Sequence, residues 1–337
     1  MTLLRIFALL FLMLSVSCRA DGQAARSVVV YTSVDQVYAE EIFKNFTRAT
    51  GIRVMPVFDT ESGKTTGLYQ RLLAERGRPR ADVFWNGEIC RTIQLAQAGA
   101  ADELGGCVPA DLPARWVDSK ARWAAFGLRA RIIVYNTEKV TKDEAPKTLE
   151  DLTQEKWRGK VAMANPLFGT TATHAAALWE ALGPEKAEAY FKALKANDVR
   201  LFEGNSVVRD VVGKGELPVG ITDTDDFFAG VEAGMPLASV LPDQEGMGAF
   251  AIPNTVMIVK GGPHPKEGRA FASFLLDRDV ERQLAFGRGQ LVPVRSDIET
   301  PPALEGFVGL RTMEADYGKV AQKMPEVARI LESIFLK

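Results

Sequence analysis

The sequence predicts an α/β protein of two lobes. From Val28 onward, short β-branched runs alternate with stretches of helical apolar spacing, the pattern of parallel strands covered by helices. Two longer apolar runs, Phe126 to Asn136 and Phe250 to Val259, interrupt that alternation and place two passages of the chain between lobes. At 337 residues, 47% hydrophobic and 25% charged, the chain is long enough to fill two cores.

Taken in order, Val28-Val29-Val30-Tyr31 is a compact strand bounded by Thr-Ser. Tyr38, Ile42, Phe43, Phe46 and Ala49 then recur at helical spacing up to Gly51, a C-cap. A strand over Ile52 to Phe58, a helix over Thr65 to Glu75, a strand over Ala81 to Trp85 and a helix over Glu88 to Ala98 follow. Beyond the first passage the spacing predicts a strand at Lys160 to Ala164, helices at Thr171 to Leu182, Pro184 to Ala196 and Val207 to Val212, and a buried strand at Leu217 to Thr222. Helices at Lys266 to Leu276, Val280 to Phe286 and Tyr317 to Phe335 complete the chain. The lobes divide as residues 27–128 with 254–337, and 129–253; the C-terminal helices are free to pack on either.

A net charge of −2 and a pI of about 5.9 leave no basic face for nucleic acid. Met1 to Ser17 has one Arg, an apolar run from Ile6 to Leu14 and then small residues. That is the order of an export signal, and it is too short to span a membrane. Ser15-Val16-Ser17-Cys18 resembles a lipobox, which makes Cys18 a lipidation site and residues 18–26 a linker; cleavage without lipid is the other outcome. Cys90 and Cys107 then remain, as a disulfide or as two buried thiols.

Chemistry concentrates at strand ends, where open α/β sheets hold their ligands. The most acidic is Gly220-Ile-Thr-Asp-Thr-Asp-Asp-Phe-Phe228, which sets Asp223, Asp225 and Asp226 after a buried strand. Asp35 follows the first strand, and Glu88 follows the third with Trp85 as an aromatic wall. Each of these two acids also suits a helix start, through the dipole alone. Gly169, Thr170 and Thr171 open a helix whose N–H groups and hydroxyls suit an anion, with Asn205 in support. The loop of Glu61, Lys64 and Thr65 ends the second strand, but it lacks the upstream glycine of a phosphate loop. Asp223-Thr-Asp225 shares its paired aspartates with phosphate-transferring hydrolases. However, Phe227 stands where such a site needs Thr, and the only histidines, His174 and His264, make no triad. A carboxylate-dependent hydrolase is therefore only a lesser reading of this stretch.

These segments together resemble the periplasmic substrate-binding proteins of ABC importers, in the extracellular solute-binding group that includes ferric-ion binders. Tyr31-Thr-Ser-Val-Asp-Gln36, Asp59-Thr-Glu61, Asp82-Val-Phe-Trp-Asn86, Trp157-Arg-Gly-Lys160, Gly169-Thr-Thr171 and Thr222-Asp-Thr-Asp-Asp226 carry the likeness. The resemblance implies the type II fold of that group, a monomer without catalytic cofactor, and delivery of a small ligand to an inner-membrane permease with its ATPase. Lipid on Cys18 then anchors the exported chain to the membrane.

In the ferric binders a histidine, a glutamate and a tyrosine pair hold the metal beside a small anion. Those places fall here on Asp35, on Glu88, and on Asp225 with Asp226, while Gly169, Thr170, Thr171 and Asn205 hold the anion. The implied guest is Fe(III) or another hard metal ion with an anion, because carboxylates make a hard-oxygen site. The alternative guest is a small anionic or amino-phosphonate-like organic solute.

Overall fold

The computed structural model describes residues 26–59, 65–309 and 311–336. The expected export signal, Cys18, Glu61 and Lys64 lie outside the described residues.

The first half is built on β1 (Ser27–Thr32), flanked in parallel by β2 (Arg53–Phe58) and β3 (Val83–Asn86). Val28 and Val30 point inward from β1, and all four residues of β3 are buried, as expected of a central parallel strand. Helices α1 (Gln36–Thr50), α2 (Thr66–Ala74) and α3 (Ile89–Gln97) follow the three strands. Gly51 ends α1 in the left-handed conformation at φ +69, and its N–H returns to Thr47 O. Phe43 and Phe126 pack on Trp85 at ring separations of 5.8 and 6.0 Å.

After a two-residue strand β4 (Ala101–Asp102), the thirteen-residue β5 (Ala124–Asn136) links the halves. Its first part pairs antiparallel with β10 (Ala251–Val259), which in turn lies antiparallel to β3. From Arg131 onward β5 pairs instead with β8 (Val219–Asp223) and, on its other edge, with β9 (Leu237–Val240). The change of partner between Ala130 and Arg131 falls two residues after the boundary expected from sequence. The second half adds β6 (Val161–Ala164), parallel to β8 and to β7 (Arg200–Phe202). The whole ladder runs β2-β1-β3-β10-β5-β8-β6-β7, with β4 on β10 and β9 on β5.

Helices α4 (Gly169–Leu182), α5 (Pro184–Ala196), α6 (Asn205–Gly213) and α7 (Thr224–Glu232) belong to the second half. The chain closes with α8 (Pro265–Leu275), α9 (Arg278–Phe286) and α10 (Tyr317–Phe335). Helix α10 packs on α4 and α5 as well as on α3, so it spans both halves. The sequence periodicity did not reveal β4, β7, β9 or α7. Cys90 and Cys107 are buried free thiols and not a disulfide; each sulfur lies against a backbone carbonyl, of Tyr317 and Arg269 respectively. Among the described residues no helix is long and apolar enough to cross a membrane.

Candidate functional site

A cleft of about 620 Å³ opens where the two halves meet, within the usual size of a small-molecule site. The ends of β1, β3, β6, β7 and β8 all deliver residues to it, because parallel strands followed by helices leave their carboxyl ends open. One wall carries Ser33, Asp35, Tyr38, Thr65 and Gly87. The other carries Gly169, Thr170, Thr171, Asn205, Asp223, Asp225 and Asp226.

The acidic stretch forms the floor of the site. Asp223 is the last residue of β8, and Asp225 and Asp226 stand in the first turn of α7, all buried at 6% exposure or less. One oxygen from each of the three carboxylates lies within 4.8 Å of the others. Such crowding of like charge requires neutralisation, and arginines supply it. Arg131 Nη1 donates to Asp223 Oδ1 at 2.6 Å, with both side chains fully buried. Arg129 Nη1 donates to Asp225 Oδ2 at 2.8 Å and lies 3.5 Å from Asp223 Oδ2, while its Nη2 donates to Gly87 O. Arg209 Nη1 is 3.8 Å from Asp226 Oδ1. Three guanidinium groups thus face three carboxylates.

The two coupled aspartates respond differently. Burial pushes the Asp223 carboxyl up, but Arg131 and Arg129 outweigh it and hold the group below the usual carboxylate range. Asp225 is raised, by burial first and by Asp223 second, against the pull of Arg129. Its Oδ1 is buried without a protein partner. Burial, with Asp225, Asp226 and Asp35 nearby, also holds the Tyr38 hydroxyl protonated, and that hydroxyl donates to Asp225 O at 3.3 Å across the cleft.

The residues expected to hold an anion gather in one place, with their side chains engaged. Thr170 Oγ1 donates to Asp223 Oδ2 at 2.6 Å. Asn205 Nδ2 donates to the same oxygen at 3.1 Å, and Thr171 Oγ1 donates to Asn205 Oδ1 at 3.4 Å. The starts of α4 and α6 lack a side-chain cap and any acid in the first turn, so the positive ends of two helix dipoles border the cleft. Gly169 opens α4 at φ +55, a conformation that favours glycine.

Glu88 corrects the sequence expectation. It is fully buried and does not line the cleft; its carboxylate accepts from Cys90 N and from Arg91 N at 2.9 Å, capping α3. The helix-start role that an acid at that position also suited is the one it fills. Trp85 borders the cleft but belongs to the aromatic core, its indole N–H donating to Asn254 Oδ1 at 3.3 Å. Asp35 stands at the N-cap position of α1 and lines the cleft. Sequence reading missed Arg129, Arg131 and Tyr38. The signal for the arginines was there, in two cations at alternate positions of a run that is otherwise apolar and buried.

The model of the bacterial extracellular solute-binding protein family matches residues 95–307, more than half of the chain. The chain belongs to this family. Among curated relatives, this solute-binding protein is 23% identical over 334 residues to the major ferric iron-binding protein of Neisseria meningitidis serogroup B, covering 97% of this chain and 98% of the relative. It is 25% identical over 322 residues to iron uptake protein A1 of Synechocystis, covering 91% and 86%. Iron-bound HitA from Pseudomonas aeruginosa superposes with a TM-score of 0.82 at 22% identity, covering 91% of this chain and 99% of that one. AfuA from Actinobacillus pleuropneumoniae, with fructose-6-phosphate bound, superposes with a TM-score of 0.78 at 22% identity, covering 91% and 98%. At that identity the superpositions establish the type II periplasmic-binding-protein fold for this solute-binding protein.

Proposed function

We propose that this chain is the solute receptor of an ABC importer that captures a hard, ferric-type cation with a small anion and hands it to an inner-membrane permease driven by its ATPase. It binds and releases its guest without catalysing a reaction. The observation that carries this reading is the convergence of Asp223, Asp225 and Asp226 within 4.8 Å, with Asp225 Oδ1 buried and unpartnered in a cleft bordered by two uncapped helix starts. Asp35, Asp225 and Asp226 offer the cation hard oxygens, and the N-termini of α4 and α6 offer the anion N–H groups. The names of the curated relatives, a ferric iron-binding protein and an iron uptake protein, support the choice of metal. Residues 27–128 with 254–337 act as one lobe and 129–253 as the other, with α10 packed on both. The guest favours the closed arrangement because it touches both. Export, with a lipid on Cys18 as anchor, places the receptor beside its permease.

A second reading has a specific observation behind it. Arg129 and Arg131 already neutralise Asp225 and Asp223, which suits a small organic phosphate or phosphonate whose amine, and not a metal, meets the remaining carboxylates. The fructose-6-phosphate in AfuA shows that a relative of the same fold accepts a phosphorylated solute.

Native mass spectrometry with elemental analysis separates the two readings. Iron retained at one per chain, and lost in Asp225→Ala with Asp226→Ala while the variant still melts cooperatively, supports the first. A metal-free organic phosphate in the same position overturns it in favour of the second.

A further inference from the structure

We propose that Arg129 is an internal counter-ion, standing where the cationic centre of the guest settles and thereby setting which guests the cleft accepts. This rests on the reading that the guest brings positive charge to the aspartates.

The two arginines of β5 occupy different situations. Arg131 is 0% exposed, meets Asp223, Asn205 and Thr170 through Nη1, and does not border the cleft. Arg129 instead borders the cleft, with its side chain 13% exposed, and its Nη1 holds Asp225. It stands two residues before β5 begins pairing with β8. Its other anchor is the carbonyl of Gly87, on the opposite wall. The close approach there uses glycine: a Cβ on Gly87 would lie 3.2 Å from Arg129 Nη2.

Asp225 is consequently half engaged. Oδ2 holds the guanidinium, and Oδ1, buried, holds nothing of the protein. A cation reaching Oδ1 meets Arg129 a few ångströms away, in a site where water screens little. It must displace Arg129 from Asp225 or bind against its repulsion. A dispersed single charge gains too little from the carboxylates to do either, whereas a compact trivalent ion gains enough. Arg129 therefore tunes the cleft toward concentrated positive charge and keeps the carboxylates neutralised without a guest.

The test is a luminescence titration with terbium(III), a hard trivalent ion soluble at pH 6.5 without a chelator, on the full chain and on Arg129→Gln, Arg129→Lys and Asp225→Asn. Arg129→Met replaces the Gln variant should that one fail to melt cooperatively. Removing the charge is expected to tighten terbium binding at least tenfold, the Lys variant to stay within threefold of the parent, and Asp225→Asn to lose the site. Binding by the parent with no gain in Arg129→Gln overturns the role of Arg129 and leaves the cationic-guest reading standing. No binding to any form, or binding that survives Asp225→Asn, overturns both.

Discussion

Replacing Arg131 by Met removes the positive charge from a wholly buried pair while roughly keeping the length of the side chain. Asp223 then retains Thr170 at 2.6 Å and Asn205 at 3.1 Å, but its nearest cation is Arg129 at 3.5 Å. Truncating one partner of a buried ion pair costs about 3–5 kcal/mol, because the other charge is left poorly compensated. For the roughly 300 described residues, melting entropy of about 2 cal/mol/K per residue converts this into a Tm lower by roughly 5–8 °C. The pH dependence has a definite sign. In the parent the folded-state pKa of Asp223 is depressed, so its stabilisation is present above the unfolded aspartate pKa and lost as pH falls through the folded value. Without Arg131, burial raises that pKa, and the variant's deficit grows as pH rises from the unfolded value toward neutrality. Urea unfolding of both proteins at pH 4.5 and pH 7.5 reads both quantities. Asp223→Asn added to the Met variant should recover more than half of the loss at pH 7.5. A deficit under about 1 kcal/mol, or one equal at both pH values, would refute the reasoning from charge burial.

Other outcomes follow from the same geometry. His174, stacked on Phe250 at 5.6 Å, has its pKa pushed down to about 3 by burial and then by Arg131. Its stabilising neutral form is fully present above the unfolded pKa near 6.5 and is lost as pH falls. The parent should therefore lose roughly 2–3 kcal/mol more than His174→Phe between pH 7 and pH 4.5, measured by urea midpoints. Glu88→Gln, which weakens a helix cap outside the cleft, should lower stability by about 0.5–2 kcal/mol in urea unfolding and leave terbium affinity within twofold in a luminescence titration. Tyr38→Phe removes the hydroxyl that crosses the cleft to Asp225 O. Small-angle scattering of the guest-free variant should report a larger radius of gyration than the parent; an unchanged radius means this bond does not help hold the halves together.

The sequence revealed the alternating strands and helices, and it located both passages through β5 and β10, because buried strands and amphipathic helices leave local periodicities. Helix α7 escaped because its first turn carries Asp225 and Asp226, so the acidic stretch reads as a strand-end loop. Asp225 and Asp226 were legible as acids after a buried strand, yet the same local signal made Glu88 look like a ligand. Only the direction of its carboxylate, back onto Cys90 and Arg91, separates a helix cap from a cleft acid. The charge balance was the least accessible feature. Arg129 meets Asp225 ninety-six positions away, and Arg131 meets Asp223 ninety-two positions away. Those pairings exist because β5 changes partner between Ala130 and Arg131, a decision of the sheet and not of any local stretch.

The most direct test of the central claim is an anomalous-scattering map at the iron edge from crystals grown with ferric citrate. The account predicts one peak per chain in the cleft, bound through Asp225 Oδ1 and neighbouring carboxylates, with the anion against the starts of α4 and α6. A cleft free of metal, or iron confined to the outer surface, would contradict it.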